Sequence, residues 1–266
     1  MATVRQAMRV ALCLAAMTAG LGMTAPAHQA VAQSPQTARI NRLPPVSQLV
    51  VQYRELALRA EFGGQARRGR IIKWTRPIIA ELRGRNVARY EPEVLRHFSL
   101  LARLTGLRFR LARRGRPGPS PNMIITFIDN GGRGPSNMEA VCTARVYSGR
   151  DFAIKLADIR ISADWNLVRR HCILEEITQA LGLMNDSTYF NPSIFNDHSR
   201  QQKLSPWDKL VVRAHYDRRI RPGMTWRQAE PIVRDHFRRR LAAAASSQRL
   251  RGKVRRRGNK TKRRRR

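Results

Sequence analysis

The chain has 266 residues, with 52 Lys or Arg against 18 Asp or Glu, for a formal net charge of +34. That balance excludes an acidic or neutral housekeeping enzyme, while 42% hydrophobic residues supply enough apolar material for one core. The charge is uneven: fifteen basic residues and no acidic one lie from Arg238 to Arg266, two basic residues lie in 1–32, and +17 remains for 33–237. Forty-five of the 52 basic residues are Arg, a skew that a GC-rich genome explains as well as functional choice does.

Residues 1–9 carry Arg5 and Arg9, residues 10–23 (VALCLAAMTAGLGM) are apolar and uncharged, and small-residue sites follow at Ala25-Pro26-Ala27 and Ala30-Val31-Ala32. This three-part pattern predicts a secretory signal peptide over 1–32, cleaved after Ala32 or, second, after Ala27. The apolar run is short for a bilayer span, so a retained membrane anchor is the weaker alternative. A lipid anchor at Cys13 is weaker still, because Leu12 stands where a small residue is needed. The expected location is exported, periplasmic or extracellular. Removing the signal leaves two of three cysteines, Cys142 and Cys172. In an oxidising compartment they are candidate disulfide partners, the alternative being two buried free thiols.

Residues 33–70 read as an extended lead-in, an amphipathic helix over 47–59 with Leu49, Tyr53 and Leu56 at helical spacing, and a Gly/Arg loop. A strand is predicted at 71–79, with β-branched residues around Trp74. A helix follows over 91–104: Pro92 suits its first turn, Glu91 and Glu93 face the positive end of its dipole, and Val94, Phe98 and Leu101 form the buried stripe. Gly106 ends it. Strands are predicted at 108–111, 122–129, 141–147 and 158–163. The Gly-rich stretch 130–135 lacks a phosphate-loop pattern and reads as a turn. The strongest helix spans 168–183 and stops near Gly182. A polar loop over 185–203 leads to a helix over 204–216, with Ser205 as cap, Pro206 at the first position and Asp208 in the first turn. A last helix covers 225–237, capped by Thr225. Beyond Arg238 only an Ala run interrupts the charge, and a disordered basic tail is expected over 238–266. The order predicts an α+β domain over 71–237, a mixed sheet packed against long helices, and no internal repeat.

Chemistry concentrates on the strongest helix. Glu175 and Gln179, four apart, share one face, with Glu176 turned about 100° away at ~3.6 residues per turn. Glu175-Glu176-Ile177-Thr178-Gln179-Ala180-Leu181-Gly182-Leu183-Met184-Asn185 resembles the metzincin zinc-peptidase signature HExxHxxGxxH. Glu175, Gln179 and Asn185 fall on the metal-ligand positions, Glu176 on the general-base position and Gly182 on the turning glycine. The helix LSPWDKLVVRAHY is similar to the one that follows this site in matrixin-like peptidases. A nearer resemblance, over about Trp74 to Met224, is to a family of exported bacterial proteins known only as a domain of unknown function, which carries EExxQxxGLxND in place of the zinc motif. The resemblance implies a metzincin-like layout with degraded metal ligands. Both helix imidazoles are absent, Gln179 and Asn185 are poor zinc donors, and no zinc is expected. An oxygen set of Glu175, Gln179 and Asn185 or Asp186 would suit Ca²⁺ or Mg²⁺ better. Ile194, within Pro192-Ser193-Ile194-Phe195, stands in the stretch where a metzincin carries its turn methionine.

Blander readings remain. Ile173, Leu174, Ile177, Ala180 and Leu181 already give this helix an apolar side, so Glu175 and Gln179 could be a solvated face or bond the next loop. Glu175 and Glu176 could pair with Arg169 or Arg170. His171, four before Glu175, could share its face for acid–base work or be a first-turn surface histidine. His198 could approach the cleft, and His215 reads as packing. Asn185-Asp186-Ser187 reads as a helix-ending turn. The tail would bind polyanions by counterion release, gaining about 1 kcal/mol per basic residue at an anionic surface. It has no aromatic residue to stack on bases. With an export signal, the expected partners are envelope polyanions or an anionic membrane surface and a peptide ligand; export argues against nucleic acid.

The leading expectation is an exported envelope protein with a peptidase-like cleft lacking zinc ligands, binding a peptide or polymer without catalysis. One alternative is a divergent metzincin-like hydrolase with Glu176 as general base. Another is a cationic envelope-adhesion protein with a vestigial cleft.

Overall fold

A computed structural model describes residues 44–59, 69–113, 117–129, 142–188, 191–196 and 198–264, with side chains described as far as residue 247. The expected signal peptide with its two cleavage sites, most of the lead-in and the turn at 130–135 lie outside them. Helices α1 (Val46–Leu58), α2 (Glu91–Thr105), α3 (Asn166–Gln179), α4 (Pro206–His215) and α5 (Trp226–Arg264) combine with strands β1 (Ile78–Arg83), β2 (Phe109–Leu111), β3 (Met123–Ile128), β4 (Cys142–Ser148) and β5 (Ile154–Ser162). The architecture is the expected α+β plan with a mixed sheet.

The sheet order is β2-β1-β3-β5-β4. Strands β2, β1, β3 and β5 are parallel, and β4 pairs antiparallel with β5 at one edge. Alternation sets the register. Along β3, Met123, Ile125 and Phe127 are buried while their neighbours are partly exposed. Ile125 stands beside Leu82 and Ile159, and Phe127 beside Ile161, so the apolar residues of three strands fall on one face. Helix α3 packs on β5 and β4, α2 packs on α3 and α4, and α1 packs on α4 and α5. Leu49, Tyr53 and Leu56 of α1 are fully buried, which makes α1 part of the same core rather than an appendage.

Four expected boundaries move. The strand expected at 71–79 begins only at Ile78, because Pro77 has no N–H to donate to a ladder and Trp74 is drawn elsewhere. Ile71, Ile72 and Trp74 are buried in an extended connection, and the Trp74 indole donates to the Ala180 carbonyl at 2.8 Å. Strand β5 starts at Ile154, four residues early, because Ile154 and Ala157 are buried on either side of exposed Lys155 and Leu156. Helix α3 ends at Gln179, and the chain turns at Gly182, where φ is +107°. A Cβ there would lie 2.1 Å from the Ile72 carbonyl oxygen and 2.8 Å from His215 Nε2, so only glycine fits. The fourth difference is the tail. The last helix was expected to end at 237, and α5 is described as far as Arg264. The segment is rich in Ala, Arg and Lys, strong helix formers that propagate the helix in the absence of an apolar stripe.

The caps follow the sequence. Ser205 and Asp208 form a reciprocal capping box on α4. Thr225 and Gln228 bond across the first turn of α5. Among the described residues, no helix is long and apolar enough to cross a membrane.

Candidate functional site

Helix α3 is tied to its surroundings at both ends. Near its start, Cys172 forms a disulfide with Cys142 at the head of β4, with Cα atoms 6.0 Å apart. The bond joins the edge strand to the motif helix. Arg169 and Arg170 reach Glu93 of α2 at 3.7 and 3.2 Å, so the arginines weighed as partners for Glu175 and Glu176 serve the α2–α3 contact. Further along, His97 Nε2 donates to Thr178 Oγ1 at 3.0 Å, since the Thr178 hydroxyl is itself committed to the Leu174 carbonyl. Burial lowers the pKa of His97 to about 3.

Below the C-terminal end of α3 lies a dense polar knot. Tyr216 donates to the Leu181 carbonyl at 3.0 Å and accepts from the Trp74 N–H at 3.3 Å. His215 Nε2 donates to the Ile72 carbonyl at 3.0 Å, and its Nδ1 accepts from Tyr53 at 3.1 Å. Lys73 Nζ caps the carbonyls of His215 and Ile220 at 2.9 and 3.0 Å. Burial, helped by the charge of Lys73, drops the His215 pKa to about 3. The neutral ring is thus fixed in one tautomer, and the packing role expected for His215 is what it does.

The other face of α3 carries the predicted residues. His171, Glu175 and Gln179 succeed one another at four-residue steps. His171 Nε2 lies 3.1 Å from Glu175 Oε2, and its Nδ1 lies 2.9 Å from the Gln201 carbonyl. Both partners are acceptors, an arrangement that favours a proton on each ring nitrogen. Burial opposes that charge, but the Glu175 carboxylate and the Gln201 carbonyl outweigh it, and the pKa is raised. His171 is therefore neither a free base nor a surface residue. Gln179 donates its side-chain amide to Asp186 Oδ1. Asn185 turns its amide to the Asp186 backbone carbonyl at 2.6 Å. Glu176 and Gln179 are 6% and 5% exposed. His198 is exposed.

The loop after Gly182 is anchored from below. Asp208, fully buried, accepts from Ser193 Oγ at 2.6 Å, the Ile194 N–H at 3.2 Å and the Ser205 N–H at 2.7 Å. Ile194 and Phe195 are fully buried. Ser187 ties the loop to α1 through Glu55 at 3.3 Å.

These contacts decide what the cleft can hold. A zinc site needs thiolate, neutral imidazole or carboxylate donors turned toward one point. Here Gln179 turns its NH₂ toward Asp186, and Glu175 is paired with His171. Among the described residues, no group of three or more His, Cys, Asp or Glu is placed to hold a metal ion. The residues do not fit zinc. What they offer is a strip of acceptors and donors with one histidine–carboxylate pair. Spacing along α3 was enough to find Glu175, Glu176 and Gln179. It could not find Gln201, Ser193 or Glu93, which arrive from distant segments.

The chain belongs to the family described as Protein of unknown function (DUF2927), whose profile matches residues 47–235. The match takes in α1 and the first turns of α5, in keeping with the Tyr53–His215 bond that seats α1 in the core. No curated protein matches the chain.

Proposed function

We propose that the protein is an exported, non-catalytic binding protein whose metzincin-like cleft, from Glu175 to Asp186, takes a peptide or polymer segment. The observation that carries this reading is the internal pairing of the motif face. Glu175 with His171, and Gln179 with Asp186, spend the groups a metal would need. Beside them β4 is one of the two edge strands among the described residues, and its disulfide lies one helical turn before Glu175. An open strand edge accepts an extended chain by main-chain hydrogen bonding, and neighbouring side chains then give specificity. Export is supported by the signal-like 1–32 and by the disulfide. The metzincin-like layout is supported by the helix–Gly182–loop–helix order and by the Ser205–Asp208 start of α4. The basic end of α5 adds affinity for envelope polyanions or an anionic membrane surface. An ion such as Ca²⁺ or Mg²⁺ would have to displace the Gln179–Asp186 bond.

The test is binding of an immobilised random peptide library to the mature protein, read for wild type, Glu175→Gln and Gln179→Ala. Saturable binding that falls at least tenfold in both variants supports the reading, and equal binding by all three overturns it. The hydrolase alternative, with Glu176 as general base, requires cleavage products that vanish in Glu176→Gln.

A further inference from the structure

A second cluster of charges lies away from α3, where the end of α4 meets α5. A groove of about 540 Å³ is lined there by Arg213, Arg218, Arg239, Arg240, Asp217 and His236, among others. Its charges do not balance. Asp217 bonds Arg219 at 3.0 Å, and Asp235 bonds Arg219 and Arg239 at 2.6 and 2.9 Å. Those two carboxylates match those two guanidiniums. Arg213, Arg218 and Arg240 have no carboxylate partner among the described residues. Burial and the charge of Arg240 both lower the pKa of Arg213, so two of these cations are held within each other's field.

His236 is the second observation. It is 6% exposed, and its Nδ1 lies 2.9 Å from Asp217 Oδ2. A carboxylate only accepts, so Nδ1 carries the proton. Nε2 is buried and has no hydrogen-bond partner among the described residues. An orphaned buried polar atom is destabilising, and three guanidiniums without carboxylate partners in the same groove add repulsion. A ligand that corrects both must bring negative charge and a group that can meet the Nε2 lone pair.

We propose that this groove binds a phosphate group, as inorganic phosphate or a phosphomonoester. Its oxygens would take the forked donors of Arg213, Arg218 and Arg240, and its P–OH would donate to His236 Nε2. A phosphomonoester carries about −1.5 to −2 near neutral pH and still exchanges a proton there. A sulfate or a phosphodiester has the oxygens but no proton for a neutral imidazole. The site is distinct from the cleft on α3 and does not rest on the function proposed for it.

The test is calorimetric titration of the full mature chain with inorganic phosphate, glycerol 3-phosphate and sulfate at pH 7 and matched ionic strength. One phosphate per chain, bound at least tenfold more tightly than sulfate and weakened at least tenfold in Arg240→Gln, supports the site. Arg240 lies on the exposed rim, so the substitution leaves the fold intact, and a shift of the His236 ring signals on phosphate addition gives an independent readout. Vesicles containing phosphatidic acid separate the sources. Retention lost in Arg240→Gln marks a lipid-borne group, and glycerol 3-phosphate binding without retention marks a soluble one. Equal affinity for sulfate and phosphate, or phosphate binding unchanged in Arg240→Gln with unmoved His236 signals, overturns the proposal.

Discussion

The motif face of α3 and the groove between α4 and α5 handle similar groups in opposite ways. Each places a mostly buried histidine against a carboxylate. On α3, His171 is satisfied at both nitrogens, by Glu175 and by the Gln201 carbonyl. In the groove, His236 is satisfied at one nitrogen only, beside three arginines without a carboxylate partner among the described residues. Around α3, polar groups are spent on holding the helix, its turn and its loop in place. In the groove they are left to something outside the chain. The region that looks most like an active site in sequence therefore has its polar groups paired within the chain. A region with no sequence motif carries the stronger unmet demand for a ligand.

That contrast can be broken at several points. The largest effect is expected from Gly182→Ala, which forces a Cβ into the Ile72 carbonyl at a positive φ. A loss of about 3 kcal/mol or more is expected, read from chemical denaturation. Reducing the Cys142–Cys172 bond, which closes a separation of 30 residues, should cost about 3–4 kcal/mol in the same assay. Acid should weaken the α3 region next. His97 and His215 titrate near 3 in the folded chain against about 6.5 unfolded. The unfolded chain therefore binds more protons between those values, and stability falls as pH drops below about 6.5. Each histidine contributes up to about 1.4 kcal/mol per pH unit. A urea midpoint that drops from pH 7 to 5.5, with the drop reduced in His97→Gln, is the expected result. The smallest effect belongs to the groove. Arg240→Gln should change stability by less than about 0.5 kcal/mol, because no carboxylate in the described chain depends on it. A large loss there would show that the arginines serve the fold, and the contrast would fail.

How far the sequence carried the structure depends on whether a feature is local. Helix α2 matches its expected span within one residue, because Pro92, the acidic first turn and Gly106 are local signals. The Ser205–Asp208 capping box and the β3 alternation are local as well. The Ile71–Trp74 run misled because an apolar β-branched stretch reads the same whether it enters a sheet or docks beneath a helix; Pro77 and the distant Ala180 carbonyl decide it. The length of α5 was missed because a charged segment without apolar periodicity resembles a disordered tail, although its residues favour helix. In the candidate site, the four-residue steps from His171 to Gln179 were visible, as was the His171–Glu175 pairing. The second partner of the His171 ring, the Gln201 carbonyl, was not, since it lies thirty residues away. The groove escaped altogether. Asp217 and His236 are 19 residues apart and meet only when α5 folds back on α4.

The α3 motif face is proposed to recognise a ligand without zinc chemistry. The most direct measurement is the metal content of the purified mature protein, taken beside peptide cleavage by wild type and Glu176→Gln. The account predicts far less than one zinc per chain and no cleavage that depends on Glu176. One zinc per chain, with cleavage abolished in Glu176→Gln, would contradict it.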